Sequence, residues 1–248
     1  MRFVLVHGAF VGAWCWEPLV GTLEAAGHTA ETLDLPGSGD DGTPPAEVSL
    51  ESYANRVCAV LGERPEPAVV VANSMGGMAA TQAAVRCPAR VASIVYVAAF
   101  LPRDGQSLLD LTRLPEGRDD QVQANLVVDG DPPVATMPAA ASRQAIYGCC
   151  TDETAAWAIE RRGRQAVAPF GEPVAIPDGA FDEIPRSYVL CKRDRAIPPP
   201  LQRRMLEQAG CTEVVELDTD HVPHLSATDE LAEVLDRLAA RMLPASAV

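Results

Sequence analysis

The 248-residue sequence has no C-x-x-C pair and no cysteine at metal-ligand spacing from a histidine, which removes the usual zinc frameworks. Its seven cysteines (Cys15, Cys58, Cys87, Cys149, Cys150, Cys191 and Cys211) are scattered and odd in number. They are expected to be reduced thiols of a cytoplasmic protein, without a disulfide frame. Basic residues are also scarce: 20 Lys plus Arg stand against 34 Asp plus Glu. Such a surface repels nucleic-acid phosphates and anionic membranes, so the expected partner is a small molecule. The N-terminus runs directly into Phe3-Val4-Leu5-Val6 with no charged segment before a long apolar one. Neither a secretory leader nor a membrane span is expected. Repeats and low-complexity tails are absent too.

Present instead is an alternation of short Val/Ile/Leu runs with longer stretches of helical period, the pattern of β-α units feeding a parallel sheet. The expected strands are Arg2–Val6, Thr29–Leu33, Ala68–Ala72, Ser93–Val97, Ser187–Cys191 and Glu213–Leu217. Helices are expected over Trp16–Ala26, Leu50–Glu63, Ser74–Arg86, Pro200–Ala209 and Ala227–Met242, flanking the sheet through right-handed crossovers. Residues 101–185 break the rhythm with Pro, Gly and Asp, and with helical pieces only near Ala139–Tyr147 and Asp152–Arg162. So long a gap between adjacent strands exceeds a loop. The expected organisation is one α/β core, residues 1–100 and 186–248, with residues 101–185 inserted as a cap.

The segment Val69 to Ala80 reads as a buried strand, a tight turn at Asn73-Ser74-Met75-Gly76-Gly77 and a helix. A serine hydroxyl becomes a useful nucleophile when such an elbow exposes it beside an N–H donor. The usual G-x-S-x-G is altered here, with Ala72 in the first glycine position, and by itself the segment also fits a serine capping a helix. After the first strand, His7-Gly8-Ala9-Phe10-Val11-Gly12 forms a glycine-bearing loop. Its Ala9 N–H, with that of Met75, is the candidate pair of oxyanion donors; an ordinary glycine loop is the alternative. Asp194 follows the fifth strand and His221 the sixth, giving the chain order Ser, Asp, His. Asp104 is an alternative acid. His7 reads as a brace of its loop, and His224 as pocket lining or surface.

These residues bear a resemblance. Through His7-Gly8-Ala9 with Gly12-Ala13-Trp14, Asp34-Leu35-Pro36-Gly37, Ser74-Met75-Gly76-Gly77, Ala98-Ala99-Phe100-Leu101-Pro102, Asp194 and Asp220-His221, the sequence resembles the plant-type methyl esterase and hydroxynitrile lyase branch of the α/β-hydrolases, with its bacterial esterase relatives. The resemblance implies Ser74, Asp194 and His221 as the triad, and Ala9 and Met75 as the oxyanion hole. Cyanohydrin-cleaving members typically have threonine at the place of Gly8 and lysine at that of Val222, so these two residues point to esterase chemistry. Ala72-Asn73 and Ser38 depart from the relatives' glycine-histidine and histidine, and leave a lyase, cyclase or decarboxylase as the alternative.

The expected activity is therefore a serine carboxylesterase acting on a small to medium hydrophobic ester, with no metal or organic cofactor and with a homodimer as a possible assembly. Phe10, Tyr147, Trp157, Phe170 and Val222 are the candidate apolar contacts of the substrate, with ordinary core packing as the alternative for each.

Overall fold

A computed structural model describes residues 1–177, 179 and 181–241. Strand β1 (Arg2–Val6) leads through a 3-10 turn at Ala13–Trp16 into helix α1 (Glu17–Ala25), and β2 (Thr29–Thr32) follows. Helix α2 (Leu50–Gly62) begins at Ser49, whose hydroxyl accepts from the Ser52 N–H. This is a capping box that satisfies otherwise orphaned donors. Then come β3 (Ala68–Ser74), α3 (Gly76–Arg86) and β4 (Val91–Ala99). The run between β4 and the next sheet strand holds α4 (Leu108–Thr112), β5 (Val127–Asp129), β6 (Val134–Thr136), α5 (Ala139–Ala145), α6 (Asp152–Arg161), β7 (Gln165–Ala166) and α7 (Ala168–Gly171). The chain returns as β8 (Arg186–Cys191), α8 (Pro199–Ala209), β9 (Glu213–Leu217), α9 (Pro223–Ser226) and α10 (Thr228–Ala240).

Six strands form one parallel sheet in the order β2-β1-β3-β4-β8-β9. Its central strands are apolar on both faces because helices cover both. Val4, Val6, Val70 and Ala72 pack with α2 and α3, whereas Phe3, Leu5, Val69 and Val71 pack with α1 and α10. Strand order reverses between β1 and β3, and open α/β sheets place their ligands beyond the strand C-termini at such a switch. The loops after β1, β3, β8 and β9 all emerge at that edge.

The expected strands are found within two residues of their bounds. Differences at helix starts have local causes. The first helix begins as a 3-10 turn before Pro18, the third begins at Gly76 because Ser74 and Met75 make the turn, and a short α9 precedes the last helix. Met242, the expected end of that helix, lies outside the described residues.

Two expectations need correction. The covering segment contains a small antiparallel sheet, β5-β6-β7, as well as helices. Its strands have two or three residues, too few for a period to show in sequence. In addition, Cys58 and Cys87 form a disulfide with Cα atoms 6.2 Å apart. Packing of α2 against α3 joins two positions 29 residues apart, so the seven thiols are not all free and the case for a reducing compartment loses its premise. Cys15, Cys149, Cys150, Cys191 and Cys211 remain thiols. No helix among the described residues is long and apolar enough to cross a membrane.

Candidate active site

Ser74 ends β3 with φ at +55°, a left-handed conformation that a non-glycine residue holds only when its surroundings enforce it. Packing supplies the enforcement. A Cβ on Gly76 would lie 2.6 Å from the His7 carbonyl oxygen, and one on Gly77 would lie 2.1 Å from that of Phe100. Only glycine lets α3 start this close to β1 and β4. Ala72 is fully buried among the apolar residues on one face of the sheet, so the extra methyl at the elbow is accommodated.

The loop after β1 is braced by His7. Its Nδ1–H donates to the Gly8 carbonyl at 2.7 Å, and its Nε2 accepts from the Leu35 N–H at 3.0 Å. Both nitrogens are occupied and burial lowers the pKa, as suits a structural imidazole. Asp34 accepts from the Ala13 N–H at 2.6 Å and the Asp40 N–H at 3.1 Å, closing the other side of the loop. The loop then turns at Phe10, whose φ is +68°. Ala9 and Met75 line one cavity together with Ser74, and neither N–H has a protein acceptor among the described residues.

Asp194 and His221 meet at the neighbouring edge, with His221 Nδ1 donating to Asp194 Oδ2 at 2.8 Å. Asp194 is 3% exposed, so its charge needs a full set of donors. Oδ1 accepts from the Ala196 and Ile197 N–H groups at 2.7 and 2.9 Å, and Oδ2 accepts from Gln202 at 3.2 Å. Burial opposes a charge on His221. The attraction and hydrogen bond of Asp194, with Asp220 and Asp120 beyond, outweigh it and raise the imidazole pKa above 6.5. His221 lines the same cavity as Ser74.

Asp104 has another task, accepting from the Ile176 N–H at 2.7 Å and lining a separate surface groove. His224 does line the cavity but is buried, not on the surface.

Sequence reasoning missed three residues that hold this geometry. The Asn73 amide donates to the Val97 carbonyl at 2.9 Å and to the His221 carbonyl at 3.0 Å, tying the elbow to the backbone of the histidine. Gln202, on α8, clamps Asp194 and donates to the Ile197 carbonyl at 2.7 Å. Asp220 accepts from the Cys149 N–H at 2.6 Å and the Ser226 hydroxyl at 2.7 Å, joining the covering segment to the His221 loop. The only signals in sequence were the unusual Asn73 and the Asp220-His221 pair. Ser38, the other departure, hydrogen-bonds Tyr53 and does not line the cavity.

The cavity lies between the sheet edge and the covering segment, which contributes Leu108, Val122, Ile146 and Phe170 to its lining. Phe10, Tyr147, Phe170 and Val222 line it, together with Phe100 and Ile146. Trp157 does not. Its ring meets Trp14 edge-on, centroids 5.1 Å apart, with the Arg161 guanidinium over its face, which corrects the expected contact.

A family model described as "Alpha/beta hydrolase family" matches residues 3–234. The chain belongs to the α/β-hydrolase family. Within it, the chain falls in the branch of plant methylesterases and hydroxynitrile lyases. It is 31% identical over 250 residues to methylesterase 7 of Arabidopsis thaliana, covering 96% of each protein. To the alpha-hydroxynitrile lyase of the same plant it is 29% identical over 249 residues, again covering 96% of each. Among solved structures, a pyrethroid hydrolase from Sphingobium faniae JZ-2 superimposes with a TM-score of 0.87 at 25% identity, over 97% of both chains. The fold and the branch are thereby shared with esterases and with a lyase.

Proposed function

We propose that this α/β-hydrolase is a serine carboxylesterase acting through an acyl-serine, with Ser74 as nucleophile, His221 as base and Asp194 as its orienting acid. The observation that carries this reading is Ser74 held at a left-handed elbow in the cavity that receives His221, itself hydrogen-bonded to a buried Asp194.

In this reading His221 takes the hydroxyl proton as Ser74 Oγ attacks the ester carbonyl, and the Ala9 and Met75 N–H groups stabilise the oxyanion. The imidazolium then gives its proton to the departing alcohol. Water, deprotonated by the same imidazole, attacks the acyl-serine, and collapse returns the proton to Ser74 with release of the acid. Asp194 keeps Nδ1 protonated, leaving Nε2 to accept. None of these steps calls on a cofactor.

Residues 101–185 act as a cap over the core, and the largely apolar lining favours a small to medium hydrophobic ester. Hydrolysis is preferred over cyanohydrin cleavage because Val222 brings no positive charge for a departing anion. Gly8 also leaves no room for a threonine, since a Cβ there would lie 2.8 Å from that of Ser74.

The test is turnover of p-nitrophenyl acetate, butyrate and octanoate by the wild type and Ser74→Ala, with fluorophosphonate labelling of Ser74. A wild type no faster than the variant on all three esters rejects the esterase reading and leaves lyase or cyclase chemistry.

A further inference from the structure

Two buried side chains of the cavity end in polar atoms that ester hydrolysis does not use. Tyr147 is 1% exposed, and its hydroxyl has no hydrogen-bond partner among the described residues. His224 is equally buried, with its Nδ1 likewise unpartnered, and its ring lies tilted on Trp16 with centroids 4.3 Å apart. Both line the cavity that contains Ser74. Burial raises the Tyr147 pKa, while burial and the nearby His221 lower that of His224 to about 3. Each group is therefore neutral in working conditions and offers one donor and one acceptor.

Charge elsewhere in the cavity limits what such a pair can receive. Asp120 lines the same space, its Oδ1 held by the Val122 and Gln123 N–H groups at 2.7 and 2.9 Å. Its Oδ2 has no hydrogen-bond partner among the described residues. That carboxylate opposes an anionic ligand. Arg162 interacts with Tyr147 but does not line the cavity and donates to the Met137 carbonyl at 3.0 Å.

We propose that Tyr147 and His224 form a hydrogen-bonding subsite that selects esters whose acid chain bears an uncharged oxygen function, a ketone or a hydroxyl. A ketone oxygen accepts from the phenol or the imidazole N–H, and a hydroxyl can donate to the imidazole lone pair as well. A plain alkyl chain leaves both groups unpartnered, and that loss is what disfavours it. A carboxylate-bearing chain meets Asp120 in an otherwise largely apolar space. The subsite rests on the esterase reading for its placement in the acid half of the substrate.

The experiment compares ethyl hexanoate with ethyl 4-oxohexanoate, 5-oxohexanoate and 5-hydroxyhexanoate. Wild type is expected to prefer at least one oxygenated ester by about tenfold in kcat/KM, the factor one net hydrogen bond supplies. In Tyr147→Phe and His224→Phe the ratio of oxygenated to plain ester falls toward one. Because each ratio is taken within one variant, a general loss of activity cancels. No preference in wild type, or an undiminished one in both variants, overturns the subsite.

Calorimetry separates this from failure of the esterase reading. Ser74→Ala is titrated with the same esters and with monoethyl adipate, with and without Tyr147→Phe. Tighter binding of an oxygenated ester that the phenylalanine abolishes supports the subsite even if no ester is turned over. Equal binding of oxygenated and plain esters, or tightest binding of the anionic half-ester, rejects it.

Discussion

The edge of the parallel sheet and the segment that covers it hold their polar groups in different ways. At the sheet edge, Asp194 takes four donors, His7 uses both ring nitrogens, and Asn73 bridges two carbonyls. In the covering segment, the Tyr147 hydroxyl and the Arg162 Nε are buried without partners. Asp120 is held through one oxygen alone. The first arrangement gives one geometry, as a reaction requires. The second leaves polar capacity unused, and at Tyr147 and Asp120 it belongs to residues that line the cavity. Disturbing the edge should therefore abolish the chemistry, and disturbing the cover should alter what is accepted or how pH acts.

The largest effect is expected from Asp194→Asn. Loss of the correct imidazole tautomer should reduce kcat by about 10⁴-fold, with KM little changed. Steady-state kinetics on p-nitrophenyl butyrate would show it, and a loss below tenfold would mean that another group orients His221.

Gly8→Val comes next. Its Cβ would stand 2.8 Å from that of Ser74, and a displacement of the elbow by an ångström costs about 100-fold in kcat/KM. Far-ultraviolet circular dichroism should remain native, and undiminished turnover would contradict the close approach of loop and elbow.

The cover enters through Asp120. In the proposed role of base, His221 must be neutral, so activity should fall as pH drops through its raised pKa, above 6.5. Asp120 contributes to that rise, and Asp120→Asn should move the acid limb of the kcat/KM profile to lower pH. An unmoved limb would show that Asp120 and His221 do not communicate.

The smallest expected effect is on stability. Burial raises the Asp120 pKa from 3.8 to about 6. A carboxyl more basic in the folded than in the unfolded chain favours folding fully below pH 4, and that contribution is lost as pH rises through 6. Asp120→Asn should accordingly be more stable than wild type at pH 8 by about 3 kcal/mol, with the difference fading toward pH 4. Thermal melts at both pH values test the sign. An Asn variant less stable at pH 8 would indicate that the charged form is well solvated.

What was readable in sequence follows the same division. Ser74, Asp194 and His221 each lie just past an apolar run, and a parallel sheet brings consecutive C-terminal ends to one edge, so order along the chain implied their meeting. The roles of Asn73, Gln202 and Asp220 depend on bonds across 24 to 148, 8 and 71 positions. No local pattern encodes such separations. Trp157 was misread because an aromatic in a covering helix suggests a pocket, whereas its ring packs against Trp14 and Arg161. The Cys58–Cys87 bridge escaped for the same reason as Gln202: two helices had to pack before the residues were neighbours.

By itself, the sequence determined the β-α order, the glycines at 76 and 77 that let the elbow close, and the identity of the side chains proposed to react. These are consequences of local sterics and hydrophobic period. Only the tertiary structure decided which acid serves His221, which aromatic rings reach the cavity, and which buried groups lack a partner. Each of those is a competition among residues distant in sequence, settled when the covering segment packs over the sheet.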